Sequence, residues 1–144
     1  MTKLNKDFFT DNEVLFVGYS GGKNKVFVQG VHRAFVKHGL KVYPMNPRKD
    51  ASFDVKVYRS FGELPKVPAS AFVLLNKENA KKAIKELKER GVKKILFQSK
   101  RTADQELLDQ CKALGLETAV ACPMMVFGGG FHKFHGFLAG VRKP

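Results

Sequence analysis

One glycine-rich loop gathers the residue types in this chain that could bind a phosphate. Residues 18–22 (GYSGG) separate an apolar run from a helical pattern, and Lys23 and Lys25 follow closely. The first turn of a helix has unpaired backbone N–H groups and a partial positive charge, and glycine allows a phosphate to approach them. Ser20 adds a hydroxyl donor, and the two lysines add formal positive charge. This combination predicts a phosphate cradle; the alternative is a plain strand-to-helix turn.

The loop departs from the dinucleotide fingerprint GxGxxG, because Ser20 and Lys23 stand where the second and third glycines would be. Nicotinamide dinucleotides also need an acidic residue about 20 positions further on, which binds the ribose 2′-hydroxyl. The second predicted strand ends instead in residues 46–49 (NPRK), with no carboxylate before Asp50. Plain NAD is therefore disfavoured, while NADP and coenzyme A, which each carry an additional ribose phosphate, remain open.

The elements that would position this loop alternate between buried strands and amphipathic helices. The runs 14–17 (VLFV) and 71–75 (AFVLL) contain no polar residue, as expected of strands buried on both faces of a parallel sheet. Further strands are predicted at 41–45, 94–98 and 116–121, with a short one at 57–58. This alternation predicts a single-domain α/β fold, with a doubly wound, mostly parallel, Rossmann-like sheet of about five strands.

Helix boundaries and faces follow from capping residues and from the spacing of apolar positions. N-terminal caps are predicted at Asn24, at Asn76 and, through a capping box, at Thr102, with helix stops at Gly39, Gly91 and Gly115. The predicted inner face of the first helix comprises Val26, Phe27, Gly30, Val31, Ala34 and Phe35.

Ligands of doubly wound sheets bind beyond the carboxyl ends of the strands, near the point where the strand order reverses. We therefore expect the ligand site at the ends of the predicted strands. The residues predicted to line it are Gly18, Tyr19, Ser20, Gly21, Gly22, Lys23, Lys25, Asn46, Pro47, Arg48, Leu75, Asn76, Lys77, Gln98 and Cys122.

Composition narrows the class of protein and of partner. A hydrophobic content of 44% is typical of a folded globular domain, and the net charge of +13 implies anionic partners. No apolar run approaches the roughly 20 residues that cross a bilayer, and the N-terminal residues lack the apolar core of a signal peptide, so a cytoplasmic location is expected. Cys111 and Cys122 form no metal-ligand pattern and are expected to be reduced.

Five sequence blocks, taken in order, resemble the small stand-alone CoA-binding-domain proteins. The blocks are VGYSGGKNK, HGLKVYPMNPRK, VYRSFGELP, ERGVKKILFQS and LGLETAVACPMM. That family is similar to the N-terminal nucleotide-binding domain of the succinyl-CoA synthetase alpha subunit. The resemblance covers about residues 12–126. We accordingly divide the chain into an arm at 1–13, a Rossmann-like CoA-binding domain at 14–126, and a Gly/Phe/His-rich segment at 127–144 that packs on the domain.

The resemblance implies roles for several residues. In the family the loop after the first strand receives the CoA phosphates, which corresponds here to Gly18, Ser20 and Lys23. Residues 46–48 would border the adenosine, and residues 75–77 would lie along the ligand. The chain departs from the family where Asn76-Lys77 replaces the usual basic pair, and nothing in it matches the synthetase's second domain with its phosphorylated histidine.

Other candidate sites have simpler interpretations. His132 and His135 have a spacing that can chelate zinc from one helix, but no third ligand follows in sequence, so a packing or dimer-contact segment is favoured over a metal site. Cys122 could face the thiol of a ligand, although buried cysteines are usually inert. Tyr19 and Tyr58 are interpreted as packing or adenine-stacking groups. No catalytic triad or carboxylate pair is visible.

Three functions are compatible with these residues. The leading one is a non-catalytic binding or regulatory module for coenzyme A or an acyl-CoA, and a homodimer or a protein partner is compatible with it. The second is an NADP-dependent reductase in which Arg48 binds the 2′-phosphate. The third is RNA binding through the basic surface, which lacks the aromatic and basic motifs of common RNA modules.

Overall fold

Five parallel strands form one sheet in the computed structural model, which describes residues 8–9, 11–20, 25–47 and 55–124. The strands are β1 (Glu13–Val17), β2 (Lys41–Met45), β3 (Ser70–Val73), β4 (Lys94–Phe97) and β5 (Glu117–Val120). The helices are α1 (Lys25–Lys37), α2 (Lys77–Glu89) and α3 (Gln105–Ala113), and a 3₁₀ turn spans Phe61–Glu63. The predicted α/β fold class is confirmed. None of these helices has the length and apolarity needed to cross a bilayer.

The strand order β2-β1-β3-β4-β5 reverses at β1. From β1 the chain passes to β2 on one side, and then returns to add β3, β4 and β5 on the other. The neighbouring strands end level with β1, because Val17 pairs with Met45 of β2 and with Val73 of β3. The switch point at which sheets of this kind bind ligands therefore lies at the carboxyl end of β1, where it borders β3.

Alternate side chains of the strands enter two cores, one on each face of the sheet. On one face α1 buries Phe35, whose ring centroid lies 5.6 Å from that of Phe72 in an edge-to-face arrangement. On the other face α2 and α3 bury Ile84 and Leu107 in the same core as Leu15 of β1. Helices thus cover both faces, which makes the sheet doubly wound as predicted.

The inner face of α1 differs from the prediction at its start. The buried residues are Val28, Val31, Ala34 and Phe35, whereas Val26 is 79% exposed. Val28, Val31 and Phe35 follow one another at spacings of three and four, so they share one side of the helix. Val26 lies two residues before Val28, which rotates it by about 200° around the helix axis and turns it to solvent.

The predicted caps of α2 and α3 have different outcomes. Asn76 caps α2 as predicted, since its side-chain oxygen accepts a hydrogen bond from the Asn79 N–H at 2.9 Å. The capping box at Thr102 is wrong: α3 is capped by Asp104, which accepts from the Leu107 N–H at 3.0 Å. An ionised carboxylate is the stronger acceptor, and the Thr102 hydroxyl is directed at the carbonyl of Ser99.

The predicted helix stops Gly39, Gly91 and Gly115 all have positive φ angles.

The connection between β2 and β3 adds a single residue pair to the edge of the sheet. Tyr58 forms an isolated parallel bridge with Met45. The Tyr58 N–H donates to the carbonyl of Pro44 at 2.8 Å, and the Asn46 N–H donates to the carbonyl of Tyr58 at 3.0 Å. The predicted strand at 57–58 is thus confirmed only as this bridge, which holds the backbone just beyond the end of β2.

Candidate functional site

The loop after β1 begins with a glycine whose backbone is held against β2. Gly18 has a φ of +96°, in the left-handed region that glycine adopts without a steric cost. The N–H groups of Gly18 and Tyr19 both donate to the carbonyl oxygen of Met45, at 3.1 Å each. The predicted phosphate loop therefore leaves β1 attached to the carboxyl end of β2.

Gly18 also lies against the segment that follows β3. A Cβ atom at this position would overlap the carbonyl oxygen of Leu74 and lie 3.0 Å from Cδ2 of Leu75. The Leu74 N–H donates to the carbonyl of Val17 at 2.9 Å, which continues the pairing of β1 with β3. Because no side chain fits between them, Gly18 brings the two loops of the switch point into direct contact.

Tyr19 belongs to the core and not to the surface of the site. Its side chain is 1% exposed, and its ring packs edge-to-face on Phe16 of β1 at 5.3 Å and on His32 of α1 at 5.8 Å. Of the two roles expected for it, packing is the one that the structure shows. The Tyr19 side chain thus packs the start of the loop against the middle of α1.

Asn46 connects the end of β2 to the same loop. Its side-chain nitrogen Nδ2 donates to the carbonyl oxygen of Tyr19 at 2.8 Å, while its backbone N–H donates to Tyr58. Asn46 is half-buried, and the adjacent Pro47 is exposed. The segment after β2, which is predicted to border the adenosine, is therefore hydrogen-bonded to the predicted phosphate loop through the Asn46 side-chain amide.

The segment after β3 contributes Leu75, Asn76 and Lys77. Leu75 is half-buried and Asn76 is occupied as the cap of α2. The Lys77 ammonium lies 2.6 Å from Oδ2 of Asp104 and 3.5 Å from Oε2 of Glu106, both at the start of α3. The hydrogen bond to Asp104 raises the pKa of Lys77. The structure thus directs this predicted ligand residue towards α3.

The same contact acts on the two carboxyl groups. The pKa of Asp104 is lowered, first by its hydrogen bond to Lys77 and then by the Leu107 N–H that it caps. The pKa of Glu106 is lowered chiefly by its bond to Lys81, whose ammonium lies 2.7 Å away. Four charged side chains in the first two turns of α2 and at the start of α3 thereby form one ion-pair cluster beside the carboxyl ends of β3 and β4.

The remaining predicted residues are spread along the sheet edge. Ser20, Gln98 and Cys122 are half-buried beyond the ends of β1, β4 and β5, and the exposed Lys25 is the first residue of α1. The end of β5 is three strand spacings from that of β1, or about 14 Å. Cys122 is therefore the predicted residue furthest from the loop on that side. Cys111 is on the buried face of α3, where burial raises its pKa to about 11.

Several predicted residues lie outside the described part of the chain. They are Gly21, Gly22, Lys23 and Arg48 of the ligand site, and His132 and His135 of the C-terminal segment. Within the described residues, no three His, Cys, Asp or Glu side chains are grouped as a metal site would need.

Two contacts of the site were not predicted from the sequence. The bond from Asn46 to Tyr19 joins residues 27 positions apart, and no pattern in the sequence indicates it. The Lys77–Asp104 pair did have a signal. A lysine and two acids occupy the first turns of successive helices, which lie at the same edge of a parallel sheet.

Residues 12–128 match the family described as CoA binding domain. The chain belongs to this family. The match spans all five strands and every predicted residue of the ligand site, and it confirms the resemblance found in the sequence. It supports coenzyme A as the ligand, whereas NADP receives no support from it.

A longer relative shares part of this sequence. The alpha subunit of an ADP-forming acetate–CoA ligase II from Pyrococcus furiosus is 29% identical over 90 residues, which are 62% of this chain and 20% of the ligase subunit. The chain therefore spans about a fifth of the length of this curated relative. The aligned part corresponds to one segment of a much larger subunit.

Solved structures agree with the fold. A hypothetical protein from Pyrococcus horikoshii OT3 superimposes with a TM-score of 0.68 at 20% identity, covering 86% of this chain and 89% of that one. The dinucleotide-forming acetyl-coenzyme A synthetase 1 of Ca. Korarchaeum cryptofilum, in complex with phosphate and ADP, gives 0.61 at 18% identity. That match covers 81% of this chain but 27% of the synthetase. At these identities the likeness establishes the architecture.

Proposed function

We propose that this protein binds coenzyme A or an acyl-CoA at the carboxyl ends of β1, β2 and β3, as a non-catalytic binding or regulatory module. The observation that carries the proposal is the match of residues 12–128 to the CoA binding domain family. The position of the site is supported by the strand order, which reverses at β1, and by the contact of Gly18 with Leu74 at that point.

The diphosphate of the ligand is assigned to the loop between β1 and α1. Its first two residues, Gly18 and Tyr19, donate hydrogen bonds to Met45, so these two residues need not be ordered when a ligand binds. Residues 20–25 (SGGKNK) supply a hydroxyl, two glycines and two lysines up to and including the first residue of α1, and the first turn of this helix contains no acidic residue. A helix start with this composition favours an anion.

The adenosine end is assigned to the residues that follow β2. Asn46 and Pro47 lie at that edge, and the next residue in the sequence is Arg48, with no acidic group among these three. An arginine fits the 3′-phosphate of coenzyme A because its guanidinium can donate two parallel hydrogen bonds to phosphate oxygens. The ribose phosphate is the feature that dephospho-CoA lacks.

Two observations support the non-catalytic role: the length of the related ligase subunit, and the lack of a recognisable catalytic group in the sequence. The ligase subunit named above is about five times longer than the segment it shares with this chain, so its reaction is not transferred to the present protein. No triad or carboxylate pair is recognisable in the sequence. A module of this kind would act on a second protein or on a second copy of itself when the ligand binds.

The test is identification of the ligand and comparison of three nucleotides. We expect mass spectrometry to identify coenzyme A or an acyl-CoA as the ligand released from the natively purified protein. We also expect CoA to raise the melting temperature more than dephospho-CoA, because a ligand bound only by the native state stabilises it in proportion to its affinity. A larger shift with NADPH than with CoA would contradict the proposal. Equal shifts with CoA and dephospho-CoA would remove Arg48 from its assigned role.

A further inference from the structure

We propose that Asn46 is a positioning residue for the phosphate loop, which it holds through its side-chain amide instead of contacting the ligand. The inference rests on the proposed function, since it assumes that a phosphate ligand binds at that loop. It assigns to Asn46 a role different from the adenosine contact expected from its place after β2.

The first two residues of the loop form backbone hydrogen bonds through both their N–H groups and a carbonyl group. The N–H groups of Gly18 and Tyr19 point to the carbonyl of Met45, and the carbonyl of Tyr19 accepts from Nδ2 of Asn46 at 2.8 Å. Consecutive residues of β2 and its extension therefore bind consecutive peptide groups of the loop. The Tyr19 carbonyl belongs to the same peptide unit as the N–H of Ser20, the first predicted phosphate donor.

Both partners of this hydrogen bond are themselves held in place. The Tyr19 ring is buried between Phe16 and His32, which fixes the direction of its backbone. The Asn46 N–H donates a hydrogen bond to the Tyr58 carbonyl, and the Tyr58 N–H donates one to the Pro44 carbonyl. The amide thus joins two parts of the protein that are each held by other contacts, and its removal would delete one restraint on the peptide that leads into the phosphate loop.

Loss of this bond has a predictable effect on affinity. A loop that is held by fewer hydrogen bonds loses more conformational freedom when the ligand binds, and this cost weakens binding. A single neutral hydrogen bond corresponds to roughly a 2- to 12-fold change in an equilibrium constant. We expect Asn46→Ala to weaken ligand binding within that range. A direct contact to adenosine would give a similar loss for CoA, so affinity for CoA alone does not distinguish the two roles.

The distinguishing experiment uses two ligands and two variants. Calorimetric titration compares CoA with 4′-phosphopantetheine, which carries a phosphate but no adenosine. If Asn46 positions the loop, Asn46→Ala weakens the binding of both ligands by the same factor, and Asn46→Asp weakens the binding of both. Loss for CoA with unchanged binding of phosphopantetheine would assign Asn46 to the adenosine and overturn the inference, as would unchanged binding of both ligands.

A pH profile adds a readout that a general structural defect would not produce. The carboxylate of Asn46→Asp cannot donate to the Tyr19 carbonyl, but its protonated form can. The ratio of variant to wild-type dissociation constants should therefore fall towards one as the pH is lowered through the pKa of the new carboxyl, while the ratio for Asn46→Ala stays constant. A ratio that does not change with pH in either variant would contradict the proposed hydrogen bond.

The control for added charge is Asn79→Asp, which places a carboxylate in the exposed first turn of α2 at the same edge of the sheet. We expect it to bind both ligands as the wild type does, and circular dichroism checks the fold of each variant. A wild-type protein that binds neither ligand would overturn the proposed function together with this inference. A wild type that binds both, with Asn46 variants that bind equally well, would overturn only the inference.

Discussion

The Lys77 ammonium lies 2.6 Å from the Asp104 carboxylate, and this contact joins the first turns of α2 and α3. A lysine at the start of a helix is unfavourable against the positive end of the helix dipole, and a neighbouring carboxylate offsets that effect. Asp104 serves both helices, because it also caps α3 through the Leu107 N–H. Its two functions can be separated by substitution.

We expect Asp104→Asn to lower the melting temperature slightly and Asp104→Ala to lower it more. Asparagine is an equally good cap, so Asp104→Asn removes only the ion pair, whereas alanine removes the cap as well. Both side chains of the pair are partly exposed, which limits the effect of the pair and makes it sensitive to salt. Thermal unfolding of both variants in low and high salt measures the contribution of the ion pair and that of the cap. Equal melting temperatures for the two variants would show that the cap contributes nothing.

The same pair predicts a dependence of stability on pH. The pKa of Asp104 is lowered in the folded protein, so the carboxylate stabilises the fold above its unfolded value, near 3.8. The contribution is lost as the pH falls through the lower, folded value. We therefore expect wild type and Asp104→Asn to differ in unfolding free energy at pH 6 to 8 and to converge below about pH 4. A difference that grows on acidification would contradict this assignment.

Gly18 is predicted to tolerate no side chain. Gly18→Ala introduces a Cβ that overlaps the Leu74 carbonyl and also places alanine at a positive φ, so we expect a loss of about 2–5 kcal/mol in unfolding free energy. The matched control is Gly39→Ala, which has a similar φ of +93° and no atom within 4 Å of the added Cβ. It should lose only the conformational part, about 1–2 kcal/mol. Urea unfolding of both variants is the measurement, and equal losses would remove the close contact as a cause.

The sequence was sufficient for the fold because burial on both faces of a parallel sheet leaves uninterrupted apolar runs. Residues 14–17 and 71–75 show this, and they correspond to β1 and to β3 with its extension. The phase of a helix is harder to predict where apolar residues are adjacent at its start. Val26 was placed inside for that reason, although Val28 is the residue that enters the core.

The contacts of the site were less predictable than the elements that carry them. Asn46 and Tyr19 are 27 residues apart, and their hydrogen bond depends on β2 lying beside β1 with Val17 level with Met45. The place of Asn46 directly after a predicted strand indicated that it lies at the carboxyl edge of the sheet. That place could not indicate that its amide faces the loop, since this follows from register and backbone direction.

Lys23 is expected to contribute directly to ligand affinity. Lys23→Ala should weaken CoA binding by roughly 1–3 kcal/mol, the range for loss of a charge-assisted hydrogen bond to phosphate. The control is Lys37→Ala, which removes the same charge from the exposed last turn of α1, about 18 Å along the helix from Lys25. Calorimetric titration at two salt concentrations measures both. If the two variants lose the same affinity, the net charge of the protein and not the loop attracts the ligand.

The two cysteines are expected to differ in their reaction with iodoacetamide. Only the thiolate reacts, and the pKa of about 11 keeps buried Cys111 protonated at pH 8, whereas Cys122 is half-buried at the edge where β5 ends. We expect Cys122 to be alkylated in the native protein and Cys111 only at the rate at which the core opens.

Mass spectrometry of peptides from native and urea-unfolded protein measures the two rates, with Cys111→Ser and Cys122→Ser as single-thiol controls. A ligand that extends from the end of β1 as far as β5 would cover Cys122, so saturating CoA should slow the alkylation of Cys122 and leave the much slower rate of Cys111 limited by unfolding. If CoA binds and the Cys122 rate is unchanged, the bound ligand ends before it reaches β5, and Cys122 is no part of the site. Rapid alkylation of Cys111 in the native state would contradict its place on the buried face of α3.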